Sequence, residues 1–411
     1  MRKNAWLVFA LVFAWKVALF LVSTQPIPAN DAYFYDGAVI HYLLHGGYFE
    51  PCIAQAFPVS GTQVFSAYPP GYQLPLLAWM SVFGVSAPSA MALHIVLFGG
   101  YLLVLLAIFR RLQVPAWCVN LAGGFLLVLT FHDRPDSFAH LLGVLAVYAC
   151  VRSRRALDPS HGESRGLWTW LMVLFIVLAF CTSLQIGGIY LLVTWIAILA
   201  ACRMEKERIP LVPLALTALI PALLALCVKI FLPTAWAGFM ENVHQTPFLA
   251  GLRMPAWNST LKIFRSVPGI VLILLLLPLS LKKLKSNPES PLTDRFGIIF
   301  VATLLPAVGI MIASLTIIAA NTVAISNYLQ PVIVAAYLAW NVSRRLEWNW
   351  LRLQVICLVP AILLGSVRAV GMSTWGLACA KDVSYSAAVQ RVHEELAHVP
   401  PKTKIVMSSA F

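Results

Sequence analysis

The carboxylates best placed for chemistry in this 411-residue chain fall in two short segments. Asp31 and Asp36 lie in Pro28-Ala29-Asn30-Asp31-Ala32-Tyr33-Phe34-Tyr35-Asp36. Asp133 and Asp136 lie in His132-Asp133-Arg134-Pro135-Asp136. An acidic side chain at the head of a helix can act in acid–base catalysis or simply cap the helix, and a cap does not exclude a catalytic role. His132, Asp133, Asp136 and His140 could be drawn around a divalent cation. Their spacing across a proline matches no standard metal pattern, so no metal is expected. The eight cysteines give no zinc-type pair, and six of them sit in or beside apolar runs as packing residues. Cys52 and Cys379 would share an oxidising side, but no disulfide between them is expected.

The elements that must position these groups are set by composition. The chain is 60% hydrophobic and only 11% charged, with a mean hydropathy of +0.83. A soluble domain keeps roughly a quarter of its residues charged, so this chain is expected to lie in lipid. The net charge of +13 is carried by short basic clusters between apolar runs. Such clusters mark cytoplasmic loops, and no nucleic-acid partner is implied. Arg2 and Lys3 followed by the run 5–23 are read as an uncleaved first span.

Apolar runs at 5–23, 88–109, 114–131, 137–151, 167–183, 185–202, 209–232, 267–281, 296–317, 328–342 and 351–367 predict an all-helical polytopic protein of about eleven spans. The stretch 71–85 opens on Pro69-Pro70 and is too short to cross, so it is expected to be interfacial or re-entrant. With the N-terminus inside, eighteen of the 29 basic residues fall in cytoplasmic loops and nine outside, Lys16 and Lys229 lying within spans. Counting 71–85 as a span would put every cluster from Arg110 onward on the wrong side. The transmembrane module is therefore 1–367, with long outer segments at 24–87 and 233–266 and an outer tail at 368–411. Tyr35, Val39, Tyr42 and Leu43 share a helical face, so 32–44 is expected to be an amphipathic helix on the membrane surface. Lys16 is expected to face the bundle interior.

An acid just after the first span, an aromatic-rich helix, Gly46-Gly47, Tyr68-Pro69-Pro70-Gly71-Tyr72 and Phe83-Gly84-Val85-Ser86 together resemble the GT-C glycosyltransferases. The likeness is to the protein O-mannosyltransferases and the bacterial aminoarabinose and lipopolysaccharide-core sugar transferases. The segment 132–136 resembles the family's Arg-x-Asp segment, and Asn327-Tyr328-Leu329-Gln330-Pro331 its Arg-Tyr-Leu-x-Pro segment, with Asn327 in place of the arginine. Where relatives often begin the loop with Asp-Glu, this chain has Asn30-Asp31-Ala32. Spacing to Gly46 aligns Asp31 with the family's first acid, and a one-residue slip would put Asn30 there instead.

The resemblance implies a GT-C-type bundle with an interfacial helix pair in the first outer loop. It also implies inverting transfer of a sugar from a polyprenyl phosphate to an extracytoplasmic glycan, lipid or protein. Asp31 would be the general base, with Asp36, Asp133 and Asp136 orienting the acceptor or a cation. Arg134, Lys229, Arg253, Lys262, Arg265 and Arg368 are the candidates to receive the departing phosphate, with Arg134 and Lys229 preferred. Lys229 could equally be snorkelling to the interface. The chain has no Gly-x-Gly-x-x-Gly, phosphate loop or Asp-x-Asp, which favours a lipid-linked donor over a nucleotide sugar. The expected location is a bacterial inner membrane, with the N-terminus cytoplasmic and both the active site and the C-terminus outside. A secondary transporter or lipid flippase, and an inactive scaffold of the same family, are the alternatives.

Overall fold

The computed structural model describes residues 5–21, 30–54, 57–114, 119, 123, 126, 136–154, 165–245 and 385–400, and every regular element among them is helical. In chain order these are α1 (Ala5–Leu21), α2 (Asn30–His45), a 3-10 turn (Pro51–Ile53), α3 (Pro58–Thr62), α4 (Gln73–Phe83) and α5 (Ala87–Arg111). They are followed by α6 (Asp136–Arg152), α7 (Arg165–Phe180), α8 (Leu184–Glu205), α9 (Leu211–Phe231), α10 (Pro233–Gln245) and α11 (Tyr385–Leu396). The expected spans 267–281, 296–317, 328–342 and 351–367, most of 114–131, and the segment 327–331 lie outside the described residues.

Two helices, α5 with 25 residues and α9 with 21, are long and apolar enough to cross a membrane, and shorter apolar helices accompany them. Local sequence explains the limits of α5. The Ser86 hydroxyl accepts from the Ser89 amide at 3.2 Å, Pro88 occupies the first turn, and Arg110 and Arg111 sit at the negative end of the helix dipole. α4 has 11 residues, which at 1.5 Å each reach only roughly 16 Å, about half a hydrocarbon core. It packs on α2 and α5. Gly46 and Gly84 end α2 and α4 with positive φ of 81° and 91°, conformations that cost other residues a steric penalty.

The face of α2 differs in one position from the periodicity. Tyr35, Ala38 and Val39 are buried, whereas Tyr42 is 44% exposed. Ala38 takes the packing position three residues after Tyr35. The Tyr42 ring instead meets Tyr48 edge-to-face at 6.4 Å on the rim of the loop.

α6 is the central helix, in contact with α5, α7 and α8. It is buried almost all round, through Ala139, Gly143, Ala146, Val147, Ala149 and Cys150 among others. Small side chains let the neighbouring backbones close in. A Cβ on Gly143, for instance, would stand 2.1 Å from the Tyr190 ring.

The two ends of this bundle differ chemically. At one end Glu207 joins Arg154 at 3.2 Å and Arg165 at 2.6 Å, and Arg152 lies over Trp168 at 5.2 Å. The Tyr68-Pro69-Pro70-Gly71-Tyr72 segment meets the other end, where the Gly71 amide donates to the Cys181 carbonyl at 2.7 Å in the α7–α8 corner. A Cβ at Gly71 would lie 2.5 Å from that carbonyl oxygen and 2.6 Å from Thr182 Oγ1. Gly71→Ala should therefore destabilise the protein by about 1–3 kcal/mol through overpacking. Thermal unfolding in detergent is the check, and an unchanged midpoint would show that the corner yields freely.

Candidate functional site

The site grows from the way α2 is seated. Tyr35 and Val39 pack with Tyr72, Leu76, Met80, Leu93 and Leu97 of α4, its approach and α5. The Tyr35 and Tyr68 rings lie 4.5 Å apart. With Tyr35 turned inward, the next residue, Asp36, is also drawn inside and is 6% exposed. It meets Tyr72, which is fully buried and whose hydroxyl donates to Asp36 Oδ1 at 3.2 Å.

From there a hydrogen-bonded chain runs through the bundle. The Tyr72 hydroxyl is 2.7 Å from His94 Nε2, and the two rings stack at 5.3 Å. His94 Nδ1 is 2.7 Å from Ser137 Oγ, in the first turn of α6. The Tyr72 hydroxyl donates to Asp36, and the roles of the two His94 nitrogens toward Tyr72 and Ser137 follow from the tautomer of the ring. Each of these polar groups has a hydrogen-bond partner, which is what makes burying them tolerable. Asp136, half-buried, immediately precedes Ser137.

The other expected site residues divide as follows. The backbone of Asp31 lies in the first turn of α2, and its side chain lies outside what the structure describes. Asp133, Arg134, Arg253, Lys262, Arg265 and Arg368 lie outside the described residues, as does Cys379, while Cys52 carries a free thiol. Lys229 is exposed in the last turn of α9, with its Nζ 5.9 Å from the centre of the Trp236 ring. No described contact joins Lys229 to Asp36. Lys16 is buried in α1, as its place mid-helix suggested. Among the described residues no three His, Cys, Asp or Glu side chains converge as metal ligands would.

The segment that follows α9 packs against the first loop. α10 packs on α3, and both carboxylate oxygens of Glu241 accept from the Val59 amide, at 2.8 and 3.1 Å. One of them also accepts from the Ser60 amide at 3.3 Å. Asn242 Nδ2 donates to the Ala67 carbonyl at 2.6 Å. The expected outer segments 24–87 and 233–266 thus touch each other directly.

Tyr72, His94 and Ser137 were not singled out by residue type and spacing. One signal was present, since His94 is an ionisable residue inside an apolar run, where such residues are rare and usually functional. Glu50 is a further acid in this loop, 3% exposed, and burial pushes its carboxyl above the usual range. Burial likewise pushes the neighbouring Tyr48 phenol up to about 12.

Compared with protein-family models, with curated proteins and with solved structures, the chain matches none.

Proposed function

We propose that this protein is a polytopic membrane glycosyltransferase of GT-C type. On this proposal it has about eleven spans and moves a sugar from a polyprenyl phosphate to a glycan, lipid or protein on the extracytoplasmic face. The observation that carries the proposal is the convergence of three motif segments. The helix bearing Asp31 and Asp36, the Tyr68–Tyr72 turn and the head of α6 at Asp136 are far apart in sequence, and one chain of hydrogen bonds joins them. They meet at the end of the bundle opposite the Arg152, Arg154 and Arg165 cluster. That supports an outward-facing site above a basic cytoplasmic rim.

In the proposed reaction an acceptor oxygen attacks the anomeric carbon. The bond from that carbon to the phosphate oxygen breaks, with its electron pair leaving on the phosphate. The acceptor's proton passes to the Asp31 carboxylate, and the single displacement inverts the centre. Asp36, fixed by Tyr72, sets the pose of α2, while Asp133 and Asp136 would face the acceptor. Arg134, Lys229, Arg253, Lys262, Arg265 and Arg368 would supply positive charge to the leaving phosphate. No cofactor beyond the lipid-linked donor is required by this chemistry.

The test is reconstitution in proteoliposomes with lipid-linked sugars extracted from the host and an envelope extract as acceptor. Release of free polyprenyl phosphate, dependent on protein and acceptor, is the expected outcome. Solute uptake in the same vesicles, indifferent to Asp31→Asn, would instead identify a transporter.

A further inference from the structure

Glu50 stands apart from the chain just described and belongs to no motif in the sequence. Its Oε1 accepts from the Cys52 amide at 3.0 Å, and its own amide donates to the Ser60 carbonyl at 3.1 Å. The other oxygen, Oε2, is buried and meets no donor among the described residues. It rests on α2 at Gly37, where an added Cβ would fall 1.3 Å from it. Only glycine admits the carboxyl at that position, and Gly37 directly follows Asp36. Glu50 is therefore the carboxylate among the contacts that seat the loop 46–68 on the helix carrying the candidate acids, beside the ring contacts Tyr35–Tyr68 and Tyr42–Tyr48.

A buried carboxylate oxygen without a donor is costly, whereas a protonated carboxyl in the same place is far less so. The surrounding groups do little to hold the charge. On α2, His41 acts on it through space but spends its Nδ1 on the Gly47 carbonyl at 2.7 Å, and Asp36 is acidic. Tyr48 and Cys52 on the loop are both pushed toward their neutral forms by burial. Glu241, which reaches the loop from α10, is acidic and already accepts from Val59 and Ser60.

We propose that Glu50 is a proton-operated clasp: protonated, it seats the loop 46–68 on α2, and ionised, it loosens that loop beside Asp36. The sign follows from linkage. A carboxyl whose folded-state pKa is raised binds its proton more tightly in the seated loop than in the open one. Its contribution is complete below the ordinary carboxylate range and is lost as pH rises through the raised value. If the loop faces the outer medium, as the proposed topology has it, external pH sets how firmly the site is covered.

Hydrogen exchange of residues 46–68, corrected for the intrinsic dependence of exchange on pH, tests this on the full chain in nanodiscs between pH 4 and 8. The wild type should show opening that increases with pH, by about ten-fold for each pH unit separating the folded and open titrations. Glu50→Gln, which cannot ionise, should keep the loop protected and remove the pH dependence. Gly37→Ala, which displaces the carboxyl, should leave the loop open throughout. A wild type and a folded Glu50→Gln variant with the same pH dependence would overturn the clasp. So would a Gly37→Ala variant whose loop is as protected as the wild type's. None of these outcomes depends on whether sugar transfer occurs.

Discussion

Replacing Tyr72 with phenylalanine should destabilise the folded protein by about 1–3 kcal/mol, although the ring itself is retained. The hydroxyl is the middle link between Asp36 at 3.2 Å and His94 at 2.7 Å, and both partners are buried. Its loss removes a donor from the Asp36 carboxyl and a hydrogen-bond partner from the His94 ring in one step. Such groups pay a desolvation cost that water cannot repay in the interior. Thermal unfolding in detergent measures the change, with Tyr42→Phe as the control. Tyr42 is 44% exposed, and its hydroxyl should matter by no more than about 0.5 kcal/mol. Equal effects at the two tyrosines would show that the chain contributes nothing. On the proposed reaction Tyr72 bears on the chemistry through Asp36 and the pose of α2. In a transfer assay Tyr72→Phe should therefore lower kcat while leaving the KM for the lipid donor nearly unchanged.

Asp31→Asn should reduce sugar transfer by about 10²–10⁴-fold, the range associated with losing a positioned general base. The substitution keeps the shape and polarity of the side chain and its capacity to cap the helix, so expression and the unfolding midpoint should hold. Asn30→Ala decides the register. If Asp31 is the base, Asn30→Ala should leave transfer within a few-fold of wild type. A severe loss at Asn30 with little at Asp31 would move the catalytic position by one residue. Undiminished transfer in both variants would point to Asp36, Asp133 or Asp136.

The helices were legible in the sequence because their signals are local. The run 88–109 became Ala87–Arg111 on account of the Ser86 cap and the terminal arginines, and 137–151 became Asp136–Arg152. The brevity of α4 could be read from Pro69-Pro70 at its start and Gly84 at its end. Within the tail 368–411 the described residues form one helix, Tyr385–Leu396. The site was legible only in part, because its links are between distant residues. Asp36 could be picked out as an acid in an aromatic segment. Nothing in the sequence pairs Tyr72 with His94 or Glu50 with Gly37, since sequence periodicity records which face of a helix is apolar and not which partner covers it. Tyr42 shows the same limit within a single helix. It shares the apolar face by spacing and is nonetheless exposed, because Ala38 occupies the packed position. Glu241 could not be foreseen at all, as its partners are the backbone amides of Val59 and Ser60.

The docking of α10 on α3 gives the proposal a mechanical side. α10 follows α9 with only Leu232 between them, and its Trp236 receives Lys229 from the end of α9. Glu241 and Asn242 thus tie the segment that follows α9 to the first loop.

The most direct measurement is mass spectrometry of the lipids that copurify with the wild type and with Asp31→Asn, from a host that makes polyprenyl-phosphate sugars. The account predicts polyprenyl phosphate or its glycosylated form on the wild type, with the sugar-loaded form accumulating on the variant, whose base cannot take the acceptor's proton. Neither lipid on either protein would contradict the account and leave Asp31 as a residue of the first turn of α2 with no part in sugar transfer.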